Sequence, residues 1–393
     1  MPTPSTTPSA AALRDAAGWP VLLLFVFALP FSIAVSQIFL AVLIGLWIAS
    51  GAPGAVGPRT PSFFPPLAAY AAWTLLASVP FSLAPVPSLV ESREVLLFLV
   101  VPVVHGLAHG ERARTVVSTA LAAGVLAAAI GIVQYGFLDY DHLGRRPRGS
   151  LGHYMTYAGM LMLLIGAALS RLLFETRDRA WTIAALPALA AALVVTLTRS
   201  AWIGAGAGAG LLLILKDRRL LALAPVAVAL FMALAPAQVA SRVYSTFDLS
   251  DPTNRDRLAM VTVGAGMVRD HPLTGVGPGM VEAAYGDYRP EHAVNVTNPH
   301  LHNVPLQIAA ERGLPALALW GWFIVAVAVD LARRLRESGA RVLAAGGLAA
   351  VTAMLAAGLF EYNFGDSEFL MLFLVLVTLP ASAAADPAPR GAR

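Results

Sequence analysis

Apolar stretches long enough to cross a lipid bilayer recur from one end of this 393-residue sequence to the other, leaving no room for a soluble domain. A spanning helix needs about 20 mainly apolar residues, with about 17–25 tolerated. Twelve such stretches are predicted, at 18–33, 35–50, 63–82, 94–109, 115–136, 152–173, 180–197, 200–216, 219–237, 313–332, 341–361 and 367–384. The charge content agrees: 13% of residues are charged, where a soluble domain carries about 25%. The first two stretches form one run from Trp19 to Ser50, broken at Pro30-Phe31-Ser32. That run is too long for one crossing, so a tight re-entry is expected at the proline. The residues before Trp19 are rich in Pro, Ser and Thr and lack a basic n-region, so no cleavable signal peptide is expected. With no cysteine, disulfides and thiolate metal sites are excluded. The net charge of +4 does not suggest nucleic acid as a partner; basic residues in such a chain report topology and contact with membrane lipid.

Loop charges orient the chain. With a cytoplasmic N-terminus, the cytoplasmic loops carry Arg112 and Arg114, then Arg171, Arg177 and Arg179. Lys216, Arg218 and Arg219 follow, then Arg333, Arg334, Arg336 and Arg341, with Arg390 and Arg393 in the C-terminal tail. Short cytoplasmic loops are expected to be basic. The expected division is an N-terminal tail (1–17), nine crossings (18–237), an outer loop domain (238–312), three more crossings (313–384) and a C-terminal tail (385–393). Two outer segments break the charge rule. The loop near 137–151 holds Arg145, Arg146 and Arg148, and the outer domain holds Arg242, Arg255, Arg257, Arg269, Arg289 and Arg312. Long loops cross regardless of charge, but the short one needs another reason, and an anion site on the outer face supplies it.

Within 238–312 a helix is predicted over Asn254 to Asp270, with Leu258, Val261, Ala265 and Val268 at helical spacing. It reads as amphipathic and suited to lie along the membrane surface. Capping residues precede it at Asp251-Pro252-Thr253-Asn254, and His271-Pro272 ends it. Gly275-Val276-Gly277-Pro278-Gly279 makes a tight turn, but without the Lys-Ser/Thr ending of a P-loop it is not a nucleotide site. Beyond Tyr285, Tyr288 and Arg289 comes Asn298-Pro299-His300-Leu301-His302-Asn303, then a helical stretch from Val304 to Arg312 that meets Gly313. His300 and His302 do not share a helix face, and no adjacent acidic cluster completes a metal site, so none is expected. Arginines bind phosphate bidentately at any working pH, and a histidine can take a proton from a hydroxyl near neutrality. Together they suit transfer of a group from a phosphate leaving group to an alcohol.

Arg199 stands between two apolar segments with almost no loop. A charge at the centre of a spanning helix costs about 2.5–3.5 kcal/mol, so Arg199 either snorkels to the surface or faces an outward-open cavity, the latter being favoured. The alternating Gly204–Gly210 run of glycine and alanine permits close helix packing.

Thr198-Arg199-Ser200-Ala201-Trp202, Arg257-Leu258 through Gly279, and His302-Asn303, then nine residues, then Gly313, resemble the O-antigen ligase and polymerase superfamily. The basic loop Gly144-Arg145-Arg146-Pro147-Arg148-Gly149-Ser150 is also similar to that family's. The sequence departs from the ligase pattern at Ala316, where a second glycine is expected, and at Leu317, where a threonine is. The resemblance implies an all-α integral membrane protein of about 12 transmembrane helices with a large periplasmic loop, GT-C-like, in the bacterial inner membrane. It implies a metal-independent, inverting glycosyltransferase without cofactor. The donor would be a glycan on undecaprenyl pyrophosphate and the acceptor a sugar hydroxyl of lipid A-core. His302 would be the general base, with Arg199 and Arg257 on the pyrophosphate. Arg145, Arg146, Arg148, Arg255, Asn303, His300 and Tyr288 would contact pyrophosphate or glycan. An O-antigen polymerase or a protein O-oligosaccharyltransferase would use the same donor. A secondary transporter is the alternative from another class, but the two halves show no evident repeat and acidic residues at membrane depth are scarce.

Overall fold

The computed structural model describes residues 10–50, 60–177, 179–246, 248, 250–291 and 293–384; the 385–393 tail, with Arg390 and Arg393, and the first nine residues lie outside them. The described residues are helical and contain no strand. In chain order the helices are α1 (Ala10–Ala28), α2 (Ile33–Ala49), α3 (Phe64–Trp73, continued by a π-helical turn to Ser78), α4 (Pro85–Glu91) and α5 (Val100–Leu107). They continue as α6 (Glu111–Phe137), α7 (Tyr154–Phe174), α8 (Arg179–Val195), α9 (Arg199–Asp217), α10 (Ala224–Leu234), α11 (Ala237–Tyr244) and α12 (Pro252–Asp270). The last four are α13 (Val281–Tyr288), α14 (Val304–Arg334), α15 (Arg341–Gly358) and α16 (Ser367–Ala384). Helices α6, α7, α14, α15 and α16 are long and apolar enough to cross a membrane, and Asp15–Ala28, Ile33–Ala49 and Arg179–Val195 are shorter apolar helices. The chain is a multi-pass membrane protein. The break between α1 and α2 falls at the proline, where Ser32 caps α2 by accepting from Val35 N–H at 3.4 Å.

The inner helices pack through small residues. A Cβ on Gly204 would lie 2.7 Å from the Ala353 carbonyl, and one on Gly208 would lie 2.9 Å from that of Ala349, while Gly206 and Gly210 face open space. Glycines four apart therefore bring α9 against α15, as small-residue spacing allows. Helix α16, buried through most of its length, is the central post of the bundle.

Segment 238–312 has its own apolar cluster, built from α12, α13 and the glycine turn around Met260, Val263, Tyr285 and Leu301. Asp251 accepts from the Thr253 and Asn254 amides, and Pro252 occupies the first turn of α12. The strip of α12 packed inward is Asp256, Ala259, Met260, Val263 and Met267. Leu258 and Val261, from the predicted apolar strip, are 57% and 50% exposed, so that strip faces outward.

One helix break organises the outer face. At Gly313 the backbone of α14 turns to φ 80°, ψ 170°, and helical hydrogen bonding is interrupted. The glycine turn takes up the freed carbonyls: Val276 N–H donates to Ala310 O at 2.8 Å and Gly277 N–H to Glu311 O at 3.0 Å. Trp73 Nε1 and Ser78 Oγ donate to Arg312 O at 3.1 and 3.2 Å. Backbone polar groups freed at membrane depth are tolerated where protein satisfies them, as here. No other residue fits at 313, because a Cβ there would meet the Leu273 carbonyl at 2.0 Å.

Candidate functional site

His302 lies between the cap of α14 and the bundle. Its backbone is at φ 47°, uncommon for a residue with a side chain. Such strain persists where surroundings over-determine it, and it collects at functional sites. Here the surroundings are explicit. Asn303 caps α14 by accepting from Leu306 N–H at 2.9 Å, and its Nδ2 donates to Leu359 O at 3.1 Å. Leu301 N–H donates to Gln307 Oε1 at 2.6 Å. Gln307 Nε2 in turn donates to Glu311, which also accepts the Gly279 amide, each at 2.9 Å. The histidine loop is thus fastened to α14 on one side and to the glycine turn on the other.

The partner of His302 comes from the connection between α15 and α16. Its Nδ1 lies 2.9 and 3.0 Å from the two carboxylate oxygens of Glu361, and His300 Nε2 lies 3.3 Å from the same carboxylate. Burial raises the Glu361 carboxyl, but hydrogen bonds from the two histidines outweigh it and hold the group well below the usual carboxylate range. Glu361 is thus an anion at any working pH, and an anion accepts; Nδ1 of His302 carries the proton and Nε2 is left as a base. The expectation that no acid completes the histidine pair needs correction. His300, His302 and Glu361 each offer one ligand atom, all within 4.8 Å of one another, a grouping able to hold a metal ion.

Around this dyad the structure sorts the predicted arginines. Arg257 turns inward on α12 while Arg255 is exposed, and Arg257 Nε is buried with no hydrogen-bond partner. Arg146 is half-buried, its guanidinium 4.1 Å from the Tyr154 ring centroid. Arg145 and Arg148 are exposed; the first sits 4.3 Å over Tyr140, and the second donates to Gly152 O at 3.4 Å. Arg199 is 5% exposed and engaged by protein: it donates to Ser245 O at 2.8 Å, Ser245 Oγ at 3.2 Å and Asn254 Oδ1 at 3.1 Å, with Asp251 3.6 Å away. It therefore neither snorkels nor stands open in a cavity, because the turn after α11 folds back to supply its acceptors. Arg242, beside it, is 8% exposed and 4.0 Å from Asp251.

Burial lowers the basicity of Arg146, of Arg257 and of Arg242, the last to about 10, and the charge of Arg199 lowers each further. Four guanidiniums within electrostatic reach of one another face the carboxylates of Asp251 and Glu361, which leaves positive charge in excess. Tyr288 stands elsewhere. It neighbours Asp270 at the far end of α12, roughly 20 Å along the helix from Arg257 at 1.5 Å per residue. Pyrophosphate or glycan contact was expected of Asn303, Arg255, Arg145, Arg148 and Tyr288. Asn303 is occupied as a cap, three of the others point outward, and Tyr288 is remote.

A cavity of about 480 Å³ opens beside His300. Arg312, one of the outer-domain arginines, lines it together with residues that the sequence did not single out: His153, Glu94, Glu311 and Asp366. Burial pushes the Asp366 carboxyl up to about 7, against hydrogen bonds of 2.8 and 3.0 Å from Thr156. His153 caps α7 by accepting the Met155 amide on Nδ1 at 3.3 Å, so its Nε2 carries the proton in the neutral ring. Its burial lowers its basicity.

No curated protein matches the chain. A family model described as O-antigen ligase matches residues 183–321, about a third of the chain, and ends before Glu361. That stretch, which is similar to the O-antigen ligase family, holds Arg199, Arg257, the glycine turn, His302 and Gly313 on α8 to α14.

Proposed function

We propose that the protein is an O-antigen ligase that moves a glycan from undecaprenyl pyrophosphate to a sugar hydroxyl of lipid A-core, at the periplasmic face of the bacterial inner membrane. The observation that carries this reading is the His302–Glu361 pair, which leaves His302 Nε2 to accept a proton, with Arg257, its Nε buried and unpartnered, in electrostatic reach of Glu361. His302 Nε2 takes the acceptor hydroxyl proton as the oxygen attacks the anomeric carbon. The bond from that carbon to the pyrophosphate oxygen breaks, and its electron pair leaves with the pyrophosphate. Direct displacement inverts the anomeric centre. Arg257, with its unused Nε, and Arg146 hold the departing charge, a preorganised electrostatic role. Arg199 and Arg242 add field and position the turn that carries α12. Twelve crossings, with 238–312 outside, put this chemistry on the side where the basic outer loop lies.

The reaction is read as metal-independent because Glu361 serves as hydrogen-bond acceptor for both rings, while the nearby arginines repel a cation. The test is transfer in vitro by the purified protein, with and without chelator. Glycan on lipid A-core, undiminished by chelator, is expected. Longer glycan from donor alone would make the protein a polymerase, the reading that Ala316 and Leu317 favour. Activity lost in chelator and restored by a divalent ion would turn the histidine–glutamate group into a metal site. Absence of any transfer would end the glycosyltransferase reading.

A further inference from the structure

The outer site is divided by charge. Arg146, Arg199, Arg242 and Arg257 lie within electrostatic reach of one another, and Arg257 within reach of Glu361; none of them lines the cavity beside His300. The cavity on the His300 side is lined instead by Glu91, Glu94, Glu311 and Asp366. Its one arginine, Arg312, is already paired with Glu311, which leaves the carboxyls of Glu91, Glu94 and Asp366 without a cationic partner in the lining, the last two pushed up to about 7 by burial. It is also a built site rather than a cluster of surface acids. Arg312 is 6% exposed, and its Nε is buried without a hydrogen-bond partner. Thr156, Gln307 and His153 add hydroxyl, amide and imidazole groups to the wall. About 480 Å³ lies within the roughly 300–1,000 Å³ of pockets that enclose small ligands. A pocket so lined offers no unpaired arginine or lysine to a phosphate or a carboxylate. It offers multiple acceptors to a ligand rich in hydroxyls.

Resting on the glycosyltransferase reading of the site, we propose that this cavity holds the sugar ring next to the reacting bond and selects an uncharged or amino-bearing sugar over an acidic one. Glu94 and Asp366 accept hydrogen bonds from its hydroxyls, and the buried Arg312 donates back. The anionic parts of both substrates stay on the arginine side, so charge alone sets which way the donor lies. The ring belongs either to the donor glycan or to the acceptor, and the chemistry required is the same.

The test is ligand-observed saturation-transfer NMR on the full-length protein in lipid nanodiscs, with methyl glucoside and methyl glucuronoside as probes. Binding needs no turnover, so its result is independent of whether transfer is found. Saturation from the glucoside at least fivefold above that from the glucuronoside is expected. Glu94→Gln and Asp366→Asn should narrow that ratio, and Glu91→Gln, at an exposed position that folding tolerates, should narrow it in the same direction. Equal transfer from both sugars, transfer from neither, or a ratio unmoved by all three variants would overturn the proposal. In steady-state transfer, a KM raised for the acceptor alone in Glu94→Gln assigns the ring to the acceptor, and a KM raised for the donor alone assigns it to the donor. Either supports the pocket.

Discussion

Arg199 and Arg257 look equivalent in the sequence, yet their surroundings give them different work. Arg199 spends its donors on Ser245 and Asn254, whereas Arg257 keeps a buried Nε without a partner. Arg199→Ala should therefore lower stability by about 3 kcal/mol, as breaking a buried charge network does, and lose activity with it. Arg257→Ala should lose transfer while melting close to wild type; thermal unfolding measured beside transfer rates separates the two. His302→Ala should cost about 10²–10⁴-fold in transfer rate, the usual worth of a positioned base. The Glu361 carboxyl is held ionised well below the usual carboxylate range. With that pKa depressed, its charge is present throughout the working range and is lost only in strong acid. The acid limb of the pH–rate profile should then rise with pH through one protonation, with a slope of one, rather than two. The resemblance to the family motif set Arg257 above Arg255, and on α12 Arg257 is the more buried of the two. Asn303 could have been read as a cap from its place just before Val304-Pro305. Glu361 could not be read, since it lies 59 residues from His302 in a connection with no periodic signal.

The decisive element is the broken helix α14. Its position was marked by Gly313, separated from His302-Asn303 by nine residues, and by the proline that follows at 315. What the break does was not marked: it releases carbonyls that the glycine turn, Trp73 and Ser78 then satisfy, and so it fixes the floor of the cavity. Gly313→Ala would place a Cβ 2.0 Å from the Leu273 carbonyl at φ 80°. A loss of about 2–5 kcal/mol follows from strain and overpacking together, checked by thermal unfolding in detergent. Helix α12 was placed within two residues from its cap and from His271-Pro272. The side it buries was not, because Met260, Val263 and Met267 form a second apolar strip beside Leu258 and Val261, and sequence alone does not say which strip meets protein and which meets lipid.

At the scale of the whole molecule, each of the twelve predicted stretches overlaps a described helix; five of the helices are long and apolar enough to span by themselves, and three more are shorter apolar helices. Membrane character was legible because the bilayer imposes length and composition on each element. Tertiary pairings such as Glu361 with His302 are not imposed in that way. The chain has no cysteine, so single introduced cysteines report sidedness cleanly. Ser250→Cys should react with a membrane-impermeant maleimide in intact spheroplasts, and Asp217→Cys only after lysis; both positions are exposed. The reverse pattern would invert the topology. The most direct measurement is transfer by purified protein given undecaprenyl-pyrophosphate glycan and lipid A-core, run with wild type and His302→Ala side by side. Glycosylated lipid A-core is expected from wild type, and about 10²-fold less or lower from the variant. Equal product from both, or none from wild type, would contradict the proposed function.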